Sequence, residues 1–163
     1  MTIKFPDGDQ DFRSRLVQTQ TASKTSSSST NATQFSDTGL SKAISVSSGN
    51  VVLVLVSGSV RADNSSNSGY HEAEGQLRVM RGSTVLKGQT VGFRNSTGNS
   101  KNFFSQISFG FIDSPGAGNH TYKLQFGGGG NTFRIYVCDG THYHAASGGF
   151  NPSTDITLIE LDP

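Results

Sequence analysis

The chain has 163 residues, of which 33% are hydrophobic and 15% charged, and its 13 basic and 12 acidic side chains leave a net charge of +1. That length holds one domain and little else; the balanced charge, with no cluster of Lys or Arg and no Trp, argues against a nucleic-acid surface. No run nears the roughly 18 apolar residues that cross a bilayer, and a lone cysteine, Cys138, excludes an internal disulfide.

Residues 1–15 mix charges (Lys4, Asp7, Asp9, Asp11, Arg13, Arg15) with the separated apolar groups Phe5 and Phe12, and Leu16 follows. The start, Met1-Thr2-Ile3-Lys4-Phe5-Pro6, lacks the apolar stretch of a secretion signal, so a reducing cytoplasm is the expected place of folding. From Gln18 to Gln34, fourteen of seventeen residues are Ser, Thr, Asn or Gln. Such a segment buries too little apolar surface to offset its ordering entropy. It is therefore expected to be extended or disordered, and residues 1–34 read as a polar arm in front of a folded head, residues 35–163.

From Phe35 the pattern changes to period-2 alternation broken by turn residues. Leu40, Ile44 and Val46 share one parity, and Ser47-Ser48-Gly49-Asn50 makes a turn. Val51 to Val56 is apolar on both faces, which predicts a central strand covered on both sides. Strands follow around Gln76 to Met80 and Val85 to Phe93, joined by Arg81-Gly82-Ser83-Thr84, where Gly82 can take a positive φ. Phe103 to Ile112 is next, then a turn at Asp113-Ser114-Pro115-Gly116, since Pro presets φ and Gly can follow. Tyr122 to Phe126, Phe133 to Val137 and Ile156 to Leu161 complete about eight strands, with Gly127 to Gly130 a hairpin turn. The spacing predicts an all-β, jelly-roll-like antiparallel sandwich.

Possible chemistry is thin. His142-Tyr143-His144 puts two imidazoles on one side of an extended segment, but a metal site needs a third or fourth ligand, from Asp139, His120 or Cys138. Solvated loop histidines are the preferred reading, so no metal and no cofactor are expected. Cys138 ends an apolar strand on the opposite parity and reads as a small buried side chain rather than a nucleophile. Glu72 and Glu74 could share a strand face like the acid pair of a glycoside hydrolase, or simply be solvated beside His71. Tyr70, Tyr122, Tyr136 and Tyr143 could stack on sugars, although aromatics also pair across strands for stability. Gly127 to Gly130 has no following helix and no P-loop spacing. No catalytic residue is assigned, and the chain is not expected to be an enzyme.

A polar leader of 34 residues, extended, reaches on the order of 110 Å. Its apolar and cationic groups could dock on a partner, at an ordering cost due only on binding. Several stretches carry a resemblance. These are Ala32-Thr33-Gln34-Phe35-Ser36-Asp37-Thr38-Gly39-Leu40, Val51 to Val60, and Leu77-Arg78-Val79-Met80-Arg81-Gly82-Ser83-Thr84. Asp113-Ser114-Pro115-Gly116-Ala117-Gly118, His120-Thr121-Tyr122-Lys123-Leu124 and Ile156-Thr157-Leu158-Ile159-Glu160-Leu161 complete the set. From about residue 32 to the end the chain resembles a β-sandwich domain of tailed-phage virion proteins, cyanophages included, found in tail-fibre heads and small capsid-decorating proteins.

The resemblance implies a non-enzymatic structural protein, commonly a homotrimer, on a virion assembled in the host cytoplasm. A compact head with an arm and no fibre shaft favours a capsid cement protein on the capsid surface. Its arm residues Phe5, Phe12, Arg13, Arg15 and Leu16 would then clasp the major capsid protein. A receptor-binding head on a tail fibre or baseplate is the alternative, with polar loops at 63–70, 95–102 and 139–151. A glycan hydrolase through Glu72 and Glu74 is a third.

Overall fold

Alternating apolar side chains bury one face of each strand, and two such faces closed on each other form the core. A computed structural model describes residues 16–64, 71–95, 102–128, 133–138 and 152–163. Ten strands appear there, and no helix. They are β1 (Leu16–Lys24), β2 (Ser28–Thr30), β3 (Ser36–Val46), β4 (Val51–Asn64) and β5 (His71–Arg81). Then come β6 (Thr84–Asn95), β7 (Asn102–Asp113), β8 (Gly118–Gly128), β9 (Phe133–Val137) and β10 (Thr154–Leu161).

All pairings are antiparallel. One sheet runs β3-β8-β5-β6. In the other, β4 pairs with β7 along one side, and along its opposite side first with β10 and then with β9. β1 lies beyond β10, and β2 beyond β9. The partnerships nest: β5 with β6 innermost, then β4 with β7, β3 with β8, and β1 with β10 outermost. A ribbon folded back and rolled in this way is a jelly roll, the expected architecture, with β2 and β9 as short additions.

The expected boundary at residue 34 shifts. Leu16 to Lys24 is not a free arm but the first strand of the roll, in register with β10 from Leu16↔Leu161 to Lys24↔Thr154. Ser28 to Thr30 pairs with Val137 to Ile135. The reason is that an edge strand gains backbone hydrogen bonds from a neighbour already in place, and Thr suits a pleated, half-exposed surface. Residues 1–15 of the expected arm lie outside the described residues.

Val52, Val54, Val56, Ile156 and Leu158 of one sheet meet Leu40, Ile44, Leu77, Val79, Tyr122 and Leu124 of the other, all at 2% exposure or less. Gly82, with φ 57°, takes the first position of the two-residue β5–β6 loop as expected. The expectation for Val51 to Val56 needs correction. Val52, Val54 and Val56 are buried, but Leu55 on the other face is 40% exposed and Val51 and Leu53 are only partly covered.

A polar staple closes the roll at one end. The Tyr122 hydroxyl on β8 donates to Asp113 Oδ2 on β7 at 2.6 Å, and Arg81 Nη1 on β5 donates to the same oxygen at 2.8 Å. Burial, followed by the Asp113 carboxylate as hydrogen-bond acceptor, pushes the Tyr122 phenol above its ordinary pKa. Tyr122→Phe should destabilise the fold by about 1–2 kcal/mol, since Asp113 loses a buried donor; equilibrium denaturation checks this.

Candidate functional site

The outer face of the larger sheet is amphipathic along its strands. On β10 alternate residues Ile156, Leu158 and Glu160 face inward, leaving Asp155, Thr157, Ile159 and Leu161 outward. The register then writes the face row by row. Leu16, Leu161 and Val51 form one row; Thr19, Ile159, Leu53 and Ile112 the next; Thr21, Thr157, Leu55 and Gly110 the third; Ser23, Asp155, Ser57 and Ser108 the fourth. Seven aliphatic side chains therefore crowd one end and polar ones the other. Ile112 is 64% exposed, Leu16 57% and Leu55 40%, and Val17, at the bulge in β1, is 47% exposed.

Gly110 belongs to this surface. A Cβ there would come within 2.7 Å of Leu55 Cδ2, so its absence lets Leu55 lie flat across β7. Contiguous exposed aliphatics framed by polar residues mark contact surfaces on soluble domains. The sequence reading missed this face because it took the doubly apolar Val51 to Val56 as covered on both sides. The signal was the second parity, Leu53 and Leu55 with Ile159 and Leu161, in strands whose first parity already fills the core.

The opposite outer face, on β3, β8 and β5, is charged. Arg78 Nε donates to Gln125 Oε1 at 2.8 Å while its guanidinium stacks 3.9 Å over Phe35. Gln125 Nε2 and Lys123 Nζ donate to Asp37 at 2.6 and 3.0 Å, and these bonds, Gln125 first, hold the Asp37 carboxyl below its ordinary pKa. These partners satisfy one another, which makes the ladder a stabilising surface rather than a reactive one.

Of the expected arm residues, Phe5, Phe12, Arg13 and Arg15 lie outside the described residues, as do Asp139, His142, Tyr143 and His144. Leu16 opens β1, on the apolar face. His120 sits on β8 opposite Ile44, with a ring nitrogen 3.1 Å from the Gly116 carbonyl oxygen. Cys138 is 2% exposed; its thiol donates to the Lys24 carbonyl at 2.8 Å, and burial raises its pKa, the reverse of what a nucleophile needs. No three metal-ligating side chains gather among the described residues. Glu72 and Glu74 stand two apart on β5, their backbones opposite Arg94 and Gly92, and their side chains are outside what is described. Tyr122 is buried in the core, and Tyr136 is covered by the Arg61 guanidinium at 3.6 Å.

Comparison with protein-family models gives no match, and comparison with curated proteins gives none. Among solved structures, the chain is similar to the VP2 subviral particle of infectious bursal disease virus, with 11% identity and a TM-score of 0.36. The match covers 90% of this chain and 38% of the VP2 chain, so the chain spans well under half of that protein's length.

Proposed function

We propose that this protein is a structural, non-enzymatic component of a virion, a cement protein on the capsid surface of a tailed phage. In this reading it assembles as a homotrimer in the host cytoplasm and binds the major capsid protein without metal or cofactor. Residues 1–15, with Phe5, Phe12, Arg13 and Arg15, reach toward neighbouring subunits, and Leu16 anchors their base in β1. The observation that carries the reading is the apolar end of the outer face, to which Leu16, the first residue of β1, belongs. A rigid roll with a sticky face at the root of a tether suits a protein that staples an assembly. The sequence resemblance to phage virion sandwiches supports a tailed-phage particle in this reading.

Removing residues 1–15 leaves β1 and its ladder with β10 in place, whereas a cut at residue 31 would take the first strand of the roll away. The shortened head should fold with unchanged melting but lose binding to capsids in co-sedimentation, by tenfold or more. Unchanged binding, or labelling of the tail rather than the capsid in micrographs, would sink the proposal; the second result would favour a receptor-binding head.

A further inference from the structure

The outer face of the smaller sheet holds a groove beside the charged ladder. Leu77 and Val79 turn inward, so Gln76 and Arg78 turn outward, and the register sets Thr90 beside Gln76 and Gly88 beside Arg78. With Phe35 and Val85 these residues line an open groove of about 320 Å³. Gly88 is part of its floor. Neither packing nor backbone conformation requires glycine there. Its φ is outside the left-handed region, and an added Cβ would meet only the Leu77 carbonyl oxygen at 3.5 Å and Arg78 Cβ at 4.0 Å. The irregularity in this ladder falls beyond it, between Val79 and Met80. Glycine weakens a strand interior, and where no bulge or clash demands it, it marks a place of close approach.

Arg78 is the charged wall of the groove. Its guanidinium is held from two sides, stacked 3.9 Å over Phe35 and bonded through Nε to Gln125 at 2.8 Å, and Gln125 is itself held by Asp37. Phe35 in turn lies over Gly127, where a Cβ would sit 3.4 Å from its ring. An exposed arginine ordinarily gives up rotamer freedom when it binds; here the fold has already ordered it. The ladder uses only Nε. The two terminal nitrogens have no protein partner among the described residues, and their N–H groups match the two oxygens of a carboxylate.

We infer that this groove binds a carboxylate-bearing saccharide, with the terminal nitrogens of Arg78 on the carboxylate and Gln76 and Thr90 on the flanking hydroxyls. An extended peptide fits less well, because β5 is paired on both sides and offers no free backbone edge for a peptide to join. An acidic sugar needs no such edge. It takes side-chain donors and acceptors around its ring and lays its C–H face on Val85, which is 52% exposed. The groove belongs to the smaller sheet and the apolar patch of Leu53, Leu55, Ile112 and Ile159 to the larger, on the opposite side of the roll, so both can be occupied at once. The inference uses no residue of that patch or of positions 1–15, and holds whether or not the protein is a virion component.

The test is affinity electrophoresis of the full chain in gels holding polygalacturonate, with dextran and poly-glutamate as comparisons. Polygalacturonate should retard the protein and dextran should not. Arg78→Lys, which keeps the charge but loses the planar fork, should weaken binding about tenfold. Gly88→Leu fills the floor without a backbone clash and should weaken it as much, with the melting temperature unchanged or raised. Full binding by either folded variant would overturn the inference, as would the absence of retardation by polygalacturonate or equal retardation by dextran. Stronger retardation by poly-glutamate would overturn it too, by making an acidic peptide the ligand. If Gly88→Leu fails to fold, Arg78→Lys decides alone.

Discussion

Glu160→Ala should be the most damaging substitution of a polar side chain in the described domain, lowering stability by about 3 kcal/mol. Glu160 ends the inward row of β10 and is fully buried. Its Oε1 accepts from the Ser47 backbone N–H at 2.7 Å and from Asn50 Nδ2 at 2.8 Å, and its Oε2 accepts from Gln18 Nε2 at 2.6 Å. One carboxylate thus ties the β3–β4 corner, where the chain passes from one sheet to the other, to β10 and β1. Alanine would take the acceptor from all three donors at once and untie the corner from β10 and β1. In a domain of this size the loss corresponds to a melting temperature lower by roughly 6–12 °C.

The same contacts predict a pH dependence. Hydrogen bonding, led by the Ser47 N–H, holds the Glu160 carboxyl below its ordinary value of 4.5 despite burial. A depressed folded pKa means that the unfolded chain takes up the proton first. The stabilisation is therefore complete above about pH 4.5 and is lost as pH falls through the lower folded value. Glu160→Gln keeps the shape but turns an NH₂ toward one of the donors. The stability gap between wild type and Glu160→Gln, by urea denaturation, should be largest at neutral pH and narrow below pH 4.5. A gap constant down to pH 3 would contradict the assignment. Asp37, also depressed, titrates in both proteins and cancels in the difference.

Gly58→Ala should cost at least about 3 kcal/mol, combining a backbone clash with a strained dihedral. Gly58 is the point where β4 changes partners: Gly58 pairs with Thr154 at the start of β10, and Val60 with Val137 at the end of β9. Between them the Ser59 carbonyl accepts from Thr154 Oγ1 and from the Cys138 N–H, both at 3.3 Å. Gly58 has φ +154°, and a Cβ there would sit 2.5 Å from Thr154 Cα and 2.7 Å from the Ser153 carbonyl oxygen. Backbone cannot move aside as a side chain can, so β10 would have to leave β4. Gly116→Ala is the control. Its φ is +79° but nothing lies within 4 Å of the added methyl, so only the dihedral cost of about 1–2 kcal/mol applies. Thermal unfolding of the two variants side by side should separate them clearly; equal losses would show that the branch point tolerates a side chain.

Much of the roll was legible in the chain because a strand with one buried face announces itself locally. Leu40, Ile44 and Val46, or Tyr122, Leu124 and Phe126, need only their own spacing to show which side turns inward, and all six are buried. Gly82 and Gly49 marked their turns for an equally local reason, a positive φ that other residues resist. The strand count near eight was reached by a different set of strands, since β9 was included while the true first strand was placed in the arm. β1, Leu-Val-Gln-Thr-Gln-Thr-Ala-Ser-Lys, buries little, and its order comes from hydrogen bonds to β10, whose paired residues lie 130 or more positions away.

The sequence by itself therefore determined the class of fold and the inward face of most strands. Tertiary structure alone decided three further things: that Leu16 to Lys24 closes the roll, that Glu160 is a buried clamp rather than a surface charge, and that Leu53, Leu55, Ile112 and Ile159 form one exposed surface. Each depends on which strands lie side by side. Neighbour relations across a sheet are set by long-range pairing, and hydrophobic periodicity records only which way a side chain points, not what stands opposite it.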